Sequence, residues 1–209
     1  SLIIIMFTGE ENLQLLTTPK RIVITTHHKP DGDALGSSLG LYHFLKKYNH
    51  TVHVVVSSDF PSFLDCMPGR EEVIIYPEQP ALTGELLAEA DIIFCLDYSA
   101  LSRTNVLEPL IANAKGQKWM IDHHLDPENF ADLVYWDSNA AATAQLIYTF
   151  IDDVLKGGEK IDAAIATCLY TGIMTDTGSF RFRNTTSAVH HIIASLIDAG
   201  AKNWEIHEQ

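Results

Sequence analysis

The sequence predicts an α/β protein in which an open, mainly parallel β-sheet is flanked by helices on both faces. Two observations support this prediction. Short apolar runs alternate with helical segments from residue 21 to about residue 140, an order that is typical of parallel sheets. Three of the runs also end in acidic residues or histidines. Because ligands bind beyond the carboxyl ends of the strands in such sheets, we expect these polar side chains to meet at one edge.

The predicted strands are the apolar runs, several of them rich in β-branched residues. They lie at residues 21–26, 51–56, 92–96 and 118–121. The first strand runs into a polar, glycine-containing loop at residues 27–36, which precedes a helix that ends near Lys47. Further helices are expected at residues 81–89, 106–114, 140–154, 162–174 and 187–199. Gly157 and Gly158 mark a turn between two of these helices.

Size and charge narrow the class of protein. The chain has 209 residues, of which 46% are hydrophobic and 20% charged, so it can bury a core without disulfides. It carries 27 acidic residues against 14 Lys and Arg, a formal net charge of −13. Proteins that bind long nucleic acids neutralise phosphates with basic residues, so this balance argues against a duplex-binding protein. A short phosphorylated substrate in a local pocket stays compatible with it.

We expect neither a membrane span nor a disulfide framework. No apolar run reaches the roughly 18 residues that a membrane span needs, and we interpret the apolar residues 2–7 as a packing segment. Cys66, Cys95 and Cys168 are odd in number and scattered along the chain, and the last two lie in apolar runs. Buried thiols and a cytoplasmic location are therefore predicted.

Acidic residues and histidines are concentrated in four segments, at residues 27–37, 95–99, 120–124 and 171–178. Asp97 and Asp122 each follow an apolar run directly, and a carboxylate at such a boundary needs a cation or hydrogen bonds to stay charged. Five carboxylates with histidines at one edge would repel one another. The sequence therefore favours bound divalent cations.

The mixed set of histidines and carboxylates suits Mn²⁺, and also Fe²⁺, Co²⁺ or Zn²⁺. Paired metals in hydrolases lie roughly 3.5–4 Å apart and activate a water between them. Asp97 is our candidate for a carboxylate that bridges two such ions.

Each segment also has an ordinary structural interpretation when it is taken alone. The Asp-Gly-Asp run at residues 31–33 is typical of a turn, Asp97 could cap the element that follows, and residues 176–178 could form a turn. Residues 190–191 are a histidine pair without neighbouring acids, for which we predict a solvated surface. The same interpretation applies to His28, His43, His50, His53 and His207. Only the four segments together indicate a site.

The four segments resemble the DHH phosphoesterase superfamily, which is named for the triad found here at residues 122–124. The family's motifs are matched, in the expected order, by His27, Pro30, Asp31 and Asp33, then by Asp97, by the triad and by Asp176. The resemblance covers roughly residues 20–180.

This resemblance implies two Mn²⁺ ions, with Mg²⁺, Co²⁺, Fe²⁺ and Zn²⁺ as alternatives. It implies that His27, Asp33 and Asp97 bind one ion. The other ion would be bound by Asp31, Asp97, His123 and Asp176, with Asp97 bridging the two.

Two further residues receive catalytic roles from the resemblance. Asp122 would orient a metal-bound histidine. His124 would contact the scissile phosphate and stabilise or protonate the departing oxygen. Asp97, as the shared ligand, completes the catalytic set.

Three arginines are candidate substrate ligands. Arg103 follows Asp97 by six positions, where related proteins often carry an arginine, and a surface ion pair is the alternative. Arg181 and Arg183 alternate with phenylalanines at residues 180–183. This alternation predicts an exposed strand with both arginines on one face.

Within the superfamily, residues 172–180 and 140–143 resemble the nano-RNase/pAp phosphatase branch, also called exopolyphosphatase-related. This implies an enzyme that hydrolyses phosphoester bonds of short oligoribonucleotides and of 3′-phosphonucleotides such as pAp, through a water activated by two metals. One alternative is a phosphoanhydride hydrolase acting on pyrophosphate or polyphosphate. The other is a metal- or nucleotide-binding module with weak catalysis, which predicts the loss of a ligand, and the sequence retains them all.

Family members usually carry a second, C-terminal domain with a glycine-rich motif, which this sequence does not contain. We expect residues 1–190 to form the catalytic DHH domain, and residues 191–209 to end it and begin a connection to such a second domain. The oligomeric state is left open by the sequence, a homodimer included. Neither long duplex nucleic acid nor a membrane is expected as a partner.

Overall fold

The computed structural model describes residues 6–209 and confirms an α/β fold with a mainly parallel sheet. The strands are β1 (Met6–Thr8), β2 (Arg21–Thr26), β3 (Thr51–Val56), β4 (Ile74–Ile75), β5 (Ile92–Leu96), β6 (Gln117–Asp122) and β7 (Leu133–Trp136). They form one seven-stranded sheet in the order β1-β7-β6-β5-β2-β3-β4. Neighbouring strands are parallel except for the edge pair β1 and β7.

The α-helices are α1 (Gly32–Lys46), α2 (Pro80–Glu89), α3 (Glu108–Ala112), α4 (Thr143–Thr149), α5 (Ala163–Asp176), α6 (Ser187–Asp198) and α7 (Asn203–His207). Short 3₁₀ helices lie at Glu10–Thr17, Ser62–Cys66, Arg70–Glu72, Leu101–Leu107 and Gly158–Lys160, and a π-helical turn at Phe150–Val154 extends α4. Within residues 6–209, no helix has both the length and the apolar character needed to cross a membrane.

Helices cover both faces of the sheet, as predicted, because successive residues of a strand point to opposite sides. Ile22 and Ile24 of β2 belong to a core that also contains Leu39 of α1. Val23, between them, belongs to a second core with Leu87 of α2 and Ile111 of α3. The central strands are therefore buried on both sides, which explains why they read as continuous apolar runs.

Helix α1 packs against α5 at very short range. A Cβ atom added at Gly36 would lie 2.5 Å from the carbonyl oxygen of Cys168, and one at Gly40 would lie 2.6 Å from the side chain of Leu169. Only glycine allows this approach of the two backbones. The packing brings the N-terminus of α1 beside the C-terminus of α5, where Asp176 is the last helical residue.

Most of the predicted elements are confirmed, with differences at their ends. Helix α1 begins at Gly32, inside the predicted loop, because the side chain of Asp31 accepts a hydrogen bond from the backbone N–H of Ala34 and caps the helix. Of the helix expected at residues 106–114, only Glu108–Ala112 is α-helical, and it follows the 3₁₀ segment Leu101–Leu107, in which Asn105 has φ 54°. The helix expected from residue 140 begins at Thr143.

Two predictions on strands were incomplete or wrong. The short strands β4 and β7 were not predicted. Residues 180–183 do not form a strand, since they lie in a turn between α5 and α6 in which Ser179 and Phe180 have φ values of 59° and 67°.

Of the predicted packing segment, residues 2–5 lie outside the described part of the chain, and Met6 and Phe7 belong to β1.

The prediction on cysteines is confirmed, and the prediction of a solvated surface holds for three of the seven histidines outside the site. Cys95 and Cys168 are buried and all three thiols are free. His190, His191 and His207 are exposed, whereas His28, His43 and His53 are half-buried.

His50 contradicts the prediction of a solvated surface. It is only 8% exposed, and its Nδ1 accepts a hydrogen bond of 3.1 Å from the backbone N–H of Lys20. The histidine therefore ties the start of β2 to the start of β3.

The expected domain boundary at residue 190 falls within α6. Val189 before it, and Ile192 and Leu196 after it, belong to the same core. That residues 191–209 lead to a second domain stays a prediction.

Candidate metal centre

The site lies at the carboxyl ends of three neighbouring strands. β5 lies between β2 and β6 in the sheet. His27 follows β2, Asp97 follows β5, and Asp122 ends β6. Asp97 is therefore placed at the centre of the edge, and the N-terminus of α1 and the C-terminus of α5 add further carboxylates around it.

Asp97 contacts histidines on both of its sides. Its Oδ2 lies 3.3 Å from Nε2 of His27, and its Oδ1 lies 3.5 Å from Nε2 of His123. The residue is 3% exposed, and its φ of 65° lies in the left-handed region that non-glycine residues rarely adopt. Strained backbone of this kind is concentrated at functional sites. A carboxylate with one oxygen toward each histidine has the geometry of a bridging ligand.

Two groups of potential ligands lie on the two sides of this carboxylate. In the first, Nε2 of His27 lies 3.7 Å from Oδ1 of Asp31. In the second, Nε2 of His123 lies 3.6 Å from Oδ2 of Asp33 and 3.4 Å from Oδ2 of Asp176. Ligand atoms of His27, Asp31 and Asp97 lie close enough together to hold one ion, and so do those of Asp33, His123 and Asp176. Asp97 and His123 also form such a group with His124.

The contacts of Asp31 and Asp33 are the reverse of those that the expected assignment requires. The sequence resemblance implies that Asp33 shares an ion with His27 and that Asp31 shares one with His123. In the structure, Asp31 caps α1 from an extended conformation and stays beside His27, whereas Asp33 lies in the first helical turn. Residues two apart on a helix point about 200° away from each other, so Asp33 faces α4, α5 and His123 instead.

Both histidines present the same ring nitrogen to the carboxylates. Nδ1 of His27 lies 2.8 Å from the carbonyl oxygen of His28, and Nδ1 of His123 lies 3.1 Å from that of Ala140. A carbonyl only accepts, so each Nδ1 carries a proton and donates it. Nε2 is left as the ligand atom, an arrangement typical of metal-binding histidines.

The charges of the cluster are mutually dependent. Burial would lower the pKa of His27, but hydrogen bonds with Asp31 and Asp97 outweigh burial and raise this pKa to about 10. Burial acts in the same way on His123, whose contact with Asp97 raises its pKa to about 9. Burial would raise the pKa of Asp97, yet its hydrogen bonds to His123 and His27 hold this pKa well below its ordinary value. In the absence of a cation, the protonated side chains of His27 and His123 balance the negative charge of Asp97.

Two carboxylates of the cluster show the opposite behaviour. Burial and the negative charges of Asp97 and Asp176 raise the pKa of Asp33 well above its ordinary value. Burial and the charges of Asp97 and Asp31 raise the pKa of Asp176 to about 6. This crowding of carboxylates is relieved when positive charge lies between them. A set of two histidines and four carboxylates fits divalent transition metals well.

Asp122 orients His124, and not the metal-binding histidine that we expected it to orient. Its Oδ1 lies 2.6 Å from Nδ1 of His124, and its Oδ2 accepts a 3.1 Å hydrogen bond from the backbone N–H of the same residue. The indole of Trp136 donates to the carbonyl of His124 at 2.6 Å. The reason is that Asp122 is fully buried at the end of β6, within reach of the residue two positions along the turn.

Hydrogen bonds from the start of α4 support the carboxylates. Asp33 is fully buried and accepts 2.8 Å hydrogen bonds from the backbone N–H groups of Thr143 and Ala144. The hydroxyl of Thr143 donates to Oδ1 of Asp97 at 2.9 Å. We did not predict Thr143 as a site residue. The available signal was the run of small residues at 140–142, which lets the start of α4 lie against the cluster.

A second support holds Asp97 from the other face of the sheet. Tyr98 is buried, its hydroxyl lies 2.8 Å from Oγ1 of Thr25, and its ring stacks on that of Phe130. This anchor directly follows Asp97 and keeps the backbone in its left-handed conformation.

The three candidate arginines lie at the surface. Within residues 6–209, the exposed side chains of Arg103 and Arg183 form no hydrogen bond or ion pair, so the surface ion pair considered for Arg103 is not observed. Nε of Arg181 donates to the carbonyl of Gly178 at 2.8 Å. Because residues 180–183 form a turn, the expected common face of Arg181 and Arg183 is not formed by a strand.

The comparison with known families settles the membership of the chain. Residues 21–173 match the DHH family, N-terminal domain. The chain belongs to the DHH family.

Relatives of this DHH chain are longer proteins. It is 38% identical over 190 residues to the bifunctional oligoribonuclease and PAP phosphatase NrnA of Thermus thermophilus, a match that covers 90% of the chain and 53% of that protein. The DHH chain thus spans about half of the length of the curated relatives it matches.

Solved structures support the fold. The chain superposes on an exopolyphosphatase-related protein from Bacteroides fragilis with a TM-score of 0.92 and 36% identity, covering 100% of this chain and 61% of that one. A putative family II inorganic pyrophosphatase from Methanococcus jannaschii has a TM-score of 0.62 at 20% identity, with 91% of this chain and 61% of that one covered. This second likeness concerns the fold alone.

Proposed function

We propose that this DHH chain forms the catalytic part of a metal-dependent phosphoesterase that hydrolyses short oligoribonucleotides and 3′-phosphonucleotides such as pAp. The observation that carries the proposal is the shared carboxylate of Asp97, which has one oxygen toward each of two histidines. Two ligand groups around one central carboxylate suit a pair of divalent cations.

The residues divide between the two ions as their contacts suggest. His27, Asp31 and Asp97 would hold one, and Asp33, Asp97, His123 and Asp176 would hold the other. A bound cation pair supplies Lewis-acid polarisation of the phosphoryl group and lowers the pKa of water. We propose Mn²⁺ as the ion, since histidine nitrogens with carboxylate oxygens suit it.

His124 is the proposed proton donor to the departing oxygen. Asp122 accepts from its Nδ1, which leaves Nε2 as the edge that can meet a substrate. The hydrogen bond with Asp122 raises the pKa of His124, so the ring keeps its proton to higher pH than an ordinary histidine. As the phosphorus–oxygen ester bond breaks and water adds to phosphorus, the Nε2 proton would pass to the alcohol that leaves.

Support for the substrate class comes from the relatives. The Thermus thermophilus relative is named for oligoribonuclease and PAP phosphatase activities, and so is that of Bacillus subtilis, at 28% identity. The net charge of −13 is compatible with short substrates that only a cation-loaded site attracts.

A second candidate function is hydrolysis of phosphoanhydrides. The relative from Bacteroides fragilis, at 36% identity, is described as exopolyphosphatase-related. Such a substrate has no nucleoside, so the two candidates differ in whether a base and a ribose are needed for binding.

We also propose that the protein works in the reducing cytoplasm, because Cys66, Cys95 and Cys168 are free thiols. That it forms a homodimer stays a prediction.

The test compares substrates on one metal-stripped preparation. Mn²⁺ is added back, and the hydrolysis rates of a diribonucleotide, pAp, pyrophosphate and a short polyphosphate are measured. We expect Mn²⁺-dependent turnover of the first two substrates and its loss in Asp97→Ala. Faster turnover of pyrophosphate or polyphosphate would instead support the second candidate. A preparation that binds Mn²⁺ but cleaves none of the four would show that this chain does not hydrolyse them without the remainder of the longer protein.

A further inference from the structure

We propose that Thr143 is a positioning residue that sets the carboxylates of Asp33 and Asp97 in the orientation the cation pair requires. This inference rests on the proposed function, since it assigns a role at the same site. It concerns a residue that touches two of the proposed ligands through two different groups of its own, a backbone N–H and a hydroxyl.

The first contact fixes Asp33. The backbone N–H of Thr143 donates to Oδ2 and that of Ala144 donates to Oδ1, each at 2.8 Å, and Ser37 adds a 3.2 Å hydrogen bond to Oδ1. Asp33 thus accepts from the free N–H groups at the start of α4, where a helix favours negative charge. The carboxylate has one rotational position in which all of these bonds are made.

The second contact fixes Asp97. The hydroxyl of Thr143 donates to Oδ1 at 2.9 Å, and this is the oxygen that faces His123, whereas Oδ2 faces His27. A carboxylate on a two-carbon side chain is otherwise free to turn about its terminal bond. The hydroxyl therefore restrains the plane of the carboxylate so that one oxygen faces each ligand group.

The two contacts act on one rigid unit. Thr143 and Asp33 are both fully buried, and Asp97 is 3% exposed, so water does not compete for these hydrogen bonds. The carbonyl of Ala140, in the same segment, also accepts from Nδ1 of His123. Three proposed ligands are thus held by residues 140–144, although none of these residues is itself a ligand.

This arrangement predicts that removal of the Thr143 hydroxyl weakens cation binding, in addition to any effect on folding. Thr143→Val keeps the shape and the backbone N–H but removes the hydroxyl, and Thr143→Ser keeps the hydroxyl. Loss of a hydrogen-bond partner behind a metal ligand weakens metal affinity by about 10–100-fold. Because the hydroxyl donates to the oxygen of Asp97 that faces His123, we expect the affinity to decrease in one of the two binding events.

The matched control is Thr149→Val, the same substitution on the same helix. The hydroxyl of Thr149 bonds Tyr135 at 2.8 Å and the carbonyl of Leu146 at 3.1 Å, away from the cluster. Thr149→Val therefore measures how the loss of a threonine hydroxyl in α4 changes the free energy of unfolding when no proposed metal ligand is affected.

The experiment titrates Mn²⁺ into each metal-stripped protein by calorimetry and records the electron paramagnetic resonance spectrum of the loaded forms. We expect two binding events and a spin-coupled pair of ions in the wild type, in Thr143→Ser and in Thr149→Val. In Thr143→Val, one event should weaken by about 10–100-fold and the spin-coupled signal should decrease. Urea unfolding of the metal-free proteins measures stability separately, and Thr143→Ala replaces Thr143→Val if the latter does not fold.

Wild-type affinity and a retained coupled signal in Thr143→Val would overturn the proposal, and so would a Thr143→Ser protein as weak as Thr143→Val. Both results leave the proposed function intact. A wild-type protein that binds no Mn²⁺ would instead refute the proposed function, and this inference with it.

Discussion

At the scale of single residues, the site depends on one carboxylate held in an unfavourable conformation. The backbone of Asp97 has φ 65°, a region that costs a non-glycine residue roughly 1–2 kcal/mol. The buried Tyr98 on one side and the hydroxyl of Thr143 on the other keep it there. The apolar run before Asp97 was enough to predict a buried acid, but no sequence pattern encodes the strain or its supports.

The sequence was also insufficient to predict how the ligands are divided between the two proposed ions. Residue type and order were sufficient to predict that His27, Asp31, Asp33, Asp97, His123 and Asp176 meet at one edge, and the structure brings them together. The contacts of Asp31 and Asp33 differ from the partition between two ions that the resemblance implied, because they depend on where α1 begins. A change of one or two residues in a helix start moves a side chain to another face, and sequence patterns locate such starts poorly.

Replacement of Asp122 should separate catalysis from metal binding. Asp122→Asn removes the charge that raises the pKa of His124, so this pKa should fall toward its ordinary value. A proton donor is lost as pH rises through its pKa, and the alkaline limb of the pH–kcat profile should therefore move to lower pH. We expect kcat at pH 8 to fall at least about tenfold, with Mn²⁺ affinity close to that of the wild type. An unchanged alkaline limb would contradict the assigned role of His124.

Cation binding should release protons from the histidines of the cluster. With pKa values of about 10 for His27 and about 9 for His123, both rings are protonated at pH 7 in the metal-free protein. A metal ligand must be unprotonated, so filling the site at pH 7 displaces these protons. Calorimetry of Mn²⁺ binding in buffers of different ionisation enthalpy measures their number. The two histidines alone release about two protons per chain, and the raised pKa values of Asp33 and Asp176 add to this number. An observed enthalpy that is independent of the buffer would be inconsistent with the described charges.

At the scale of secondary-structure elements, the long buried strands were the most predictable part of the fold. β2, β3 and β5 match their predicted ranges because they are apolar, partly β-branched and bounded by polar residues. β4 and β7 have two and four residues, too few to produce a pattern. The alternation at residues 180–183 was misleading, since Phe180 packs on Tyr170 and His207 while Phe182 is 58% exposed.

The close contact of α1 with α5 should be sensitive to one methyl group. Gly36→Ala would place Cβ 2.5 Å from the carbonyl oxygen of Cys168, so the helices must separate and Asp176 must move away from Asp33. Overpacking of this kind costs about 1–3 kcal/mol. We expect a lower free energy of unfolding in urea together with weaker Mn²⁺ binding.

Gly84→Ala is the control for this substitution. Gly84 lies in α2, and no atom lies within 4 Å of an added Cβ. Alanine at a helix position of this kind is favoured by about 1 kcal/mol over glycine, so this variant should be slightly more stable with unchanged metal binding. Equal stability losses in both variants would show that the tight packing at Gly36 is not responsible.

At the scale of the whole molecule, the fold brings part of the excess of acidic residues together at the site. Of the 27 acidic residues, five converge on the carboxyl edge of the sheet as Asp31, Asp33, Asp97, Asp122 and Asp176. The acidic composition predicts that the protein does not bind long duplex nucleic acid. The position of the site followed from the parallel topology, which brings the ends of β2, β5 and β6 together.

Cations should stabilise the whole folded chain, because the unfolded chain has no assembled site. A ligand at 100 times its Kd adds about 2.7 kcal/mol to the free energy of unfolding. For a chain of this length, this corresponds to a rise in Tm of roughly 5–11 °C. Differential scanning calorimetry with and without Mn²⁺ measures the rise, which should be absent in Asp97→Asn. A similar rise in this variant would indicate binding elsewhere on the acidic surface.

The most direct test of the central claim is a count of ions. Metal-stripped wild type and Asp97→Asn are equilibrated with Mn²⁺, and the bound ions per chain are measured by elemental analysis after removal of free metal. The shared carboxylate predicts two ions per chain in the wild type and a loss of both in Asp97→Asn, a variant of nearly the same shape without the charge. Fewer than two ions in the wild type, or two ions retained in Asp97→Asn, would contradict the account of Asp97 as the bridging ligand.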